Sequence, residues 1–507
     1  MGVYRVQKVH VGKDHIMYDW CDRNSAGANN LANACRFRQR QMITARRKQL
    51  SELSENEQQV FEEYKKAFDV TSIQETASKS SWRDFELLMK INENPDILNK
   101  DMSAQTKQEV LKQTVLDMKS NRMEYLDWKE HPEKYEKRPD LPGYKKKGGR
   151  CTFTVTNQDC TIKANKKGML FAAMPYAKDK PFPIGRPSGT LKEVKVCPSN
   201  GEYDICFYFE QEWEELEPDP VHQRMIGIDL GVDNLMAVTN NCGLPCLLYK
   251  GTILKSVNQY FNKNLARIRS EEMTKPDCPK TKDGIAKFVP TEESMSLSRK
   301  SDARIHDFMH KVAKHLIRWC VENRIDTIVV GVNRDWKQRS SIGKTNNQNF
   351  VSIPHAYLRK CLDYLAKAEG IHYIEREESY TSRSSFLDRD PIPVYGEDGA
   401  DKVVFSGKRG PTEYKGMYRK NGFHGLYQAA DGTIINADLN GSANILRKEF
   451  PDAFEKGDTV DFGSVIIITY PDRKADYENH QKQIMSSNQK HTVISRSAAK
   501  RLCRKLA

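Results

Sequence analysis

Apolar and polar residues alternate along residues 3–10, as in a short strand, and the period then changes. From 25 to 125 apolar positions recur every three or four residues among many charges, as in "NNLANACRFRQRQMITARRKQLSELSENEQQVFEEYKKAF", which predicts helices. "DLPGYKKKGGR", Asp140 to Arg150, breaks that pattern with proline, glycine and lysine. From there to about 215 the period is two, in "RCTFTVTN", "CTIKAN", "GMLFAAM", "LKEVKVCP" and "EYDICFYFEQEW". Short strands of this kind predict a small β-barrel or sandwich, with the N-terminal strand closing it and the helical block as an insertion. After the linker "ELEPDPVHQ" come strands at 225–230, 234–239 and 245–249, then helical stretches at 253–272 and 296–323. "DTIVVGVN" predicts a buried strand, "IPHAYLRKCLDYLAKAEG" a helix with a glycine stop, and "IHYIEREE" a further strand. Residues 380–436 are irregular and glycine-rich, and "DLNGSANILRKEF" predicts a helix entered through Asp438. The fold class expected is multidomain α+β, its second half a mixed α/β sheet with sites at strand ends.

Charge adds a candidate partner. Lys plus Arg outnumber Asp plus Glu by 81 to 68, a balance that suits nucleic acid and equally a basic enzyme. No apolar run approaches the ~20 residues of a membrane helix, so no membrane partner is expected. The N-terminal "MGVYRVQKVHVGKDH" lacks the apolar core of a signal peptide, and the cysteines are scattered singly. Reduced thiols in a cytoplasmic protein are the expectation. Cys242 and Cys246 have a spacing that could supply half a zinc site, but no second Cys/His pair lies nearby. Two thiols in a strand-loop-strand hairpin are expected instead.

Within "RMIGIDLGVDNLMAV", residues 224–238, Asp229 ends an apolar strand with Gly227 and Gly231 on either side. A nuclease that works with two Mg²⁺ ions needs several carboxylates converging on one point, and Mg²⁺ prefers hard oxygen ligands. RNase H-like folds deliver such acids from an early central strand, a later strand end and a late helix. Asp229 suits the first position, and Asp438 in "IINADLNGSANIL" suits the last. The competing readings are a strand-end cap or an actin-like phosphate loop for Asp229, and an ordinary helix N-cap for Asp438. The second glycine-rich loop that an actin-like ATPase needs is not supplied by Asp438-Leu-Asn-Gly.

"GIDLGVDNLMAV", "NNQNFVSIPHAYL", "EESYTSRSSFLD" and "ADLNGSANIL", in that order between 225 and 446, resemble the RuvC nuclease domain of TnpB proteins and compact type V CRISPR effectors. The resemblance implies a wedge-type β-barrel with a helical recognition insertion, followed by an RNase H-like α/β RuvC domain. One position departs from the family: its middle acid sits in a strand reading I-x-x-E-x-L-N, and here "IVVGVN" has Gly331 in that place. Some relatives carry a relocated glutamate on the neighbouring strand, just before the Y-T-S motif. "YIEREESYTS" offers Glu375, Glu377 and Glu378 there. Adjacent strands lie about 4.8 Å apart, so an acid on one can reach a site served by the other. Glu378, two positions before the tyrosine, is the first choice and Glu377 the second. The competing reading is a solvated strand end pairing with Arg376 or Arg383. The family's zinc ribbon would fall in 383–437, which contains no cysteine, so no zinc is expected there.

The resemblance implies a guide RNA and target DNA as partners, held by charge, and two Mg²⁺ ions held by Asp229, Glu378 and Asp438 as catalytic ligands. Candidate phosphate contacts are Arg36, Arg38 and Arg40 on an early helix, Lys145, Lys146 and Lys147 in "YKKKGGR", and Lys337 and Arg339 beside the site. Lys408, Arg409 and Arg419 in the 380–436 insert complete the set. The expected segments are 1–22 and 141–220 for the barrel, 23–140 for the recognition helices, 221–379 for the nuclease domain and 380–436 for a nucleic-acid-binding insert. The final nuclease helix would span 437–450, and 451–507 a basic C-terminal extension. The activity implied is RNA-guided DNA endonuclease, in a prokaryotic cytoplasm and on the nucleoid when bound. The alternative is a nuclease-dead, RNA-guided DNA-binding protein. Monomer and homodimer both remain open, as does a transposon or CRISPR origin.

Overall fold

"LKEVKVCP" and "EYDICFYF" form the central hairpin of the first unit. Asn200 and Gly201, both at positive φ, turn the chain back as two-residue hairpins require. In the computed structural model, which describes residues 3–211, 224–333, 353–396, 399–454 and 460–471, the chain divides into two compact units, 1–213 and 214–507. No helix among the described residues is long and apolar enough to cross a membrane.

In the first unit, strands β1 (Val3–Val11), β2 (Phe153–Thr156), β6 (Thr190–Ser199) and β7 (Glu202–Gln211) form an antiparallel sheet in the order β1-β7-β6-β2. Phe153, Val155, Val194, Val196, Ile205, Phe207 and Phe209 are buried, the inner half of the period-two pattern. β3 (Thr161–Ala164), β4 (Leu170–Met174) and β5 (Ala177–Gly185) make a second, three-stranded sheet. The expected barrel is not found closed. Among the described residues the strands lie in two open sheets, and no ladder joins them. Period two tells which residues face inward, and an open sheet satisfies it as well as a barrel does.

Between β1 and β2 run five helices: α1 (Tyr18–Ala45), α2 (Glu55–Phe68), α3 (Trp82–Ile91), the single turn α4 (Pro95–Leu98) and α5 (Ala104–Glu130). Ser54, Ser81 and Ser103 cap α2, α3 and α5 by accepting from a backbone N–H of the first turn. The apolar stripe of α1, with Leu31, Cys35 and Met42, is fully buried. Trp20 donates to the Pro175 carbonyl at 2.8 Å and fixes the helical block to the second sheet.

The second unit is built on one sheet in the order β12-β11-β8-β9-β10-β18. β8 (Met225–Leu230), β9 (Asn234–Asn240) and β10 (Pro245–Lys250) run antiparallel in sequence. β11 (Thr327–Val332) lies parallel to β8, β12 (His372–Glu377) parallel to β11, and β18 (Asp461–Ile468) parallel to β10. The central strands are buried nearly throughout because both faces are covered. Ile226, Ile228, Val238, Ile328 and Val330 meet the helices α6 (Thr252–Met273), α7 (Glu292–Glu322) and α8 (His355–Ala368). Met225, Ala237, Leu248 and Val329 meet α9 (Ala437–Glu449) on the other face. Between β12 and α9 the chain forms the short strands β13 (Lys408–Arg409), β14 (Glu413–Tyr414), β15 (Met417–Tyr418), β16 (Leu426–Gln428) and β17 (Ile434–Asn436).

Candidate active site

Asp229 points to the face that α9 covers, since it follows Met225 and Gly227 at the strand's period of two. Glycines make this close approach possible. A Cβ on Gly227 would lie 2.3 Å from the Ser442 carbonyl, and one on Gly441 would lie 2.6 Å from Asp229 Oδ2. The "DLNGSAN" stretch is thereby explained residue by residue. Ser442 Oγ donates to the Gly227 carbonyl at 2.7 Å and contacts Thr239 Oγ1 at 2.9 Å. Asn440 Nδ2 donates to the Ser384 carbonyl, and its Oδ1 accepts from Phe386 N–H. Asn444 donates to the carbonyls of Thr381 and Ser384. The helix thus anchors the segment that follows Glu378.

Asp438 lies in the first turn of α9, behind an Asn436 cap, so it is not itself the cap. Its two oxygens have separate donors. Arg409 holds Oδ1 at 2.9 Å, and Asn234 Nδ2 holds Oδ2 at 2.8 Å. Asn234 Oδ1 in turn accepts from Lys250 Nζ at 2.8 Å. Asn234, Lys250 and the Arg409–Asp438 pair were not readable as site features. Asn234 opens a strand behind a tight turn, and Arg409 sits on a strand only two residues long.

The surroundings of Gly331 show which of the three glutamates lies against it. A Cβ there would meet Ile445 Cδ1 at 2.4 Å and Glu378 Oε2 at 3.0 Å, so the Glu378 carboxylate sits over the bare glycine. Glu378 follows β12, and its N–H donates to the Val332 carbonyl. The other two glutamates are engaged elsewhere. Glu375 pairs with Arg359 at 2.9 Å, while Glu377 pairs with Lys448 at 2.9 Å and accepts from Ser379 N–H. Arg376 pairs with Glu449.

Electrostatics sets these acids apart. Burial pushes Asp229 well above the ordinary carboxylate range, the charges of Asp438 and Glu378 push the same way, and Arg409 opposes them. Burial, then the charge of Glu377, raises Glu378 to about 7. Burial also pushes Glu377 up, but Lys448 and Ser379 hold it below its usual range. Burial lowers the Lys250 ammonium, with Asp438 opposing. As the side chains lie, no three His, Cys, Asp or Glu among the described residues form a metal-holding group. A cavity of about 630 Å³ opens between α6 and α7, lined by Tyr260, Asn264, Lys300 and Arg304, and includes none of these acids.

The candidate phosphate contacts divide. Arg36 and Arg38 are corrected: both are buried in ion pairs, with Asp117 at 2.7 Å and Glu63 at 2.6 Å. Arg40 is spent on the carbonyls of Leu141 and Pro142. A charge run on a helix says nothing of acids far along the chain that will meet it. Arg38→Ala, which strands Glu63, is expected to destabilise the protein by about 3 kcal/mol; urea unfolding of the purified chain checks this. Lys145, Lys146 and Lys147 are exposed, as are Lys408 and Arg419, the latter over the Phe423 ring. Lys337 and Arg339 lie outside the described residues. A further basic surface, marked by no motif in the sequence, lies around β3–β5, where Lys163, Lys166, Lys167, Lys178, Lys180 and Arg186 are exposed.

Residues 205–337 match the family OrfB_IS605, described as "Probable transposase", which bears out over that segment the resemblance to TnpB proteins carried by the motifs. No curated protein matches. Among solved structures, a Cas12f1–sgRNA–target DNA complex is similar at 14% identity, over 88% of this chain and 100% of that one, with a TM-score of 0.30. A CRISPR-Cas12f ternary complex matches at 11% identity over 84% and 80%, also at 0.30. C2c1 of Alicyclobacillus acidoterrestris with its single-guide RNA matches at 9% identity over 83% and 69%, at 0.31.

Proposed function

We propose that this chain is an RNA-guided DNA endonuclease that hydrolyses phosphodiesters at Asp229, Glu378 and Asp438. The observation that carries the proposal is that acids from three separate segments lie at one end of a buried sheet, where the charges of Asp438 and Glu378 both bear on Asp229. Clustering carboxylates in this way costs stability and has no structural return. The sheet order supports an RNase H-like reading: β8, β9 and β10 as an antiparallel meander, with β11 and β12 parallel to β8. The transposase match of 205–337 supports it too. The partners would be a guide RNA and target DNA, in keeping with the complexes named for the similar structures.

An all-oxygen donor set suits Mg²⁺, and Asp229, Glu378 and Asp438 would hold two ions. Bound there, the ions would supply an activated water and charge stabilisation of the leaving oxygen. The chain's own groups prepare the site. Asn234 orients Asp438, Lys250 orients Asn234, Gly331 opens space for Glu378, and Gly441 does so for Asp229. Exposed lysines at 145–147 and around β3–β5, with Lys408 and Arg419, would meet phosphates. The nuclease-dead, RNA-guided DNA-binding reading has its own support, in Gly331 at the family's acid position and in Arg409 neutralising Asp438.

A cleavage assay decides between them, using the purified protein with its co-purifying RNA and a DNA matched to that RNA, with Mg²⁺ or chelator. Cleavage only with Mg²⁺, leaving 5′-phosphates, is the expected result. Tight binding without any cleavage would establish the dead form. Glu378→Gln should lower the cleavage rate by about a hundredfold or more, and Glu377→Gln by only a few-fold. Equal losses would return the third acid to the open.

A further inference from the structure

We infer that Arg409 is a latch on Asp438, released when a nucleic-acid phosphate draws the guanidinium away, so that divalent-ion loading depends on bound substrate. The inference rests on reading Asp229, Glu378 and Asp438 as a metal-dependent site. Its basis is how completely Asp438 is occupied by the protein itself. Arg409 takes Oδ1 and Asn234 takes Oδ2, and Asn234 is braced by Lys250. Both oxygens are turned to these donors, and among the described residues no three His, Cys, Asp or Glu are grouped to hold a metal ion. The Arg409 charge, 2.9 Å from Oδ1, opposes a cation at that oxygen.

Arg409 is placed to leave. It stands on β13, with Gly410 at φ 76 directly after it, and its side chain is 42% exposed. Among the described residues one other hydrogen bond holds the guanidinium, from Nε to the His424 carbonyl at 3.1 Å. Ion pairs open to solvent to this extent are weak and exchange readily. The preceding residue, Lys408, is exposed and has no acidic partner among the described residues, so the strand offers two positive charges to an incoming backbone. A guanidinium binds phosphate as well as carboxylate, through the same paired N–H groups. When phosphate replaces Asp438 as its partner, Oδ1 is freed at the moment substrate arrives. Asn234, more enclosed, keeps its hold on Oδ2 and preserves the orientation of the carboxylate.

A purely structural pair, tying the insert to α9, predicts the opposite response to mutation: lost stability and no gain in ion affinity. The test is a calorimetric titration of the full chain, free of nucleic acid, with Mn²⁺ as probe ion in mildly alkaline buffer. Arg409→Gln should bind Mn²⁺ about tenfold more tightly than wild type, the strength of one charge-assisted hydrogen bond. Wild type should recover that affinity once its co-purifying RNA and a matched DNA are bound, and Arg409→Gln should gain little. Lys263→Gln, which removes an exposed charge on α6, should leave Mn²⁺ affinity unchanged. Arg409→Met, which keeps the aliphatic stem, serves if the glutamine variant fails to fold. Equal Mn²⁺ affinity in wild type and both Arg409 variants overturns the latch and leaves the metal site standing. No Mn²⁺ binding by any of them, with or without nucleic acid, overturns both.

Discussion

Asp229→Asn should abolish Mg²⁺-dependent cleavage, by about a thousandfold or more, while DNA binding by the ribonucleoprotein is retained. The substitution keeps the shape of the side chain and removes only its charge, in a site where Asp229 is enclosed by β8, β9 and α9. A second readout needs no turnover. Asp229 and Glu378 both have folded values raised above those of free carboxylates. Between the unfolded and folded values the native state binds more protons than the unfolded one, so stability is lost as pH rises. For Glu378 that window runs from 4.5 to about 7. In chelator, the wild type should therefore unfold more easily at neutral than at mildly acidic pH. Asp229→Asn should stabilise the chelated protein at neutral pH by about 1 kcal/mol, since it removes a carboxylate whose charged form is disfavoured first by burial and then by the charges of Asp438 and Glu378. Mg²⁺ should stabilise the wild type and not the variant. A variant that cleaves normally, or that is less stable than wild type in chelator, would end the reading of Asp229 as a metal ligand.

Two acids of the candidate site were legible in the chain because they sit at punctuated places. Asp229 interrupts an apolar strand between glycines, and Asp438 lies in the first turn of a helix where Asn440 to Asn444 are all small or amide-bearing. These features are local, so pattern and resemblance reach them. The substitution of Gly331 was legible as a gap, and the physical account of it came only with Ile445 and Glu378 in place around the glycine. The burial of Arg36 and Arg38 was not legible, because Asp117 lies on a different helix, 81 positions away. The Arg409 pair was hidden for a similar reason: β13 has too few residues to show any period. The two open sheets of the first unit were read as a barrel because alternation fixes the inner face and leaves closure undetermined.

Gly331→Glu, which places an acid where the resembled motif has one, should not add a ligand; it should lower cleavage. The backbone of β11 at this point faces α9, and even a Cβ would stand 2.4 Å from Ile445 Cδ1 and 3.0 Å from Glu378 Oε2. A full glutamate would also bring a further negative charge against Glu378, which burial already holds at about 7. Overpacking of this kind costs about 1–3 kcal/mol, and the added charge increases it. The expected result is a lower urea midpoint together with cleavage reduced by about a hundredfold. Moving the acid back takes three changes together: Gly331→Glu, Glu378→Ala to remove the displaced carboxylate, and Ile445→Ala to clear the helix face. The triple variant should cleave better than Gly331→Glu alone, because strand and neighbouring strand deliver a carboxylate to the same point from 331 or from 378. If Gly331→Glu instead cleaves at the wild-type rate with Glu378 still present, the two positions do not compete for one place, and Glu378 loses its claim as the relocated third acid.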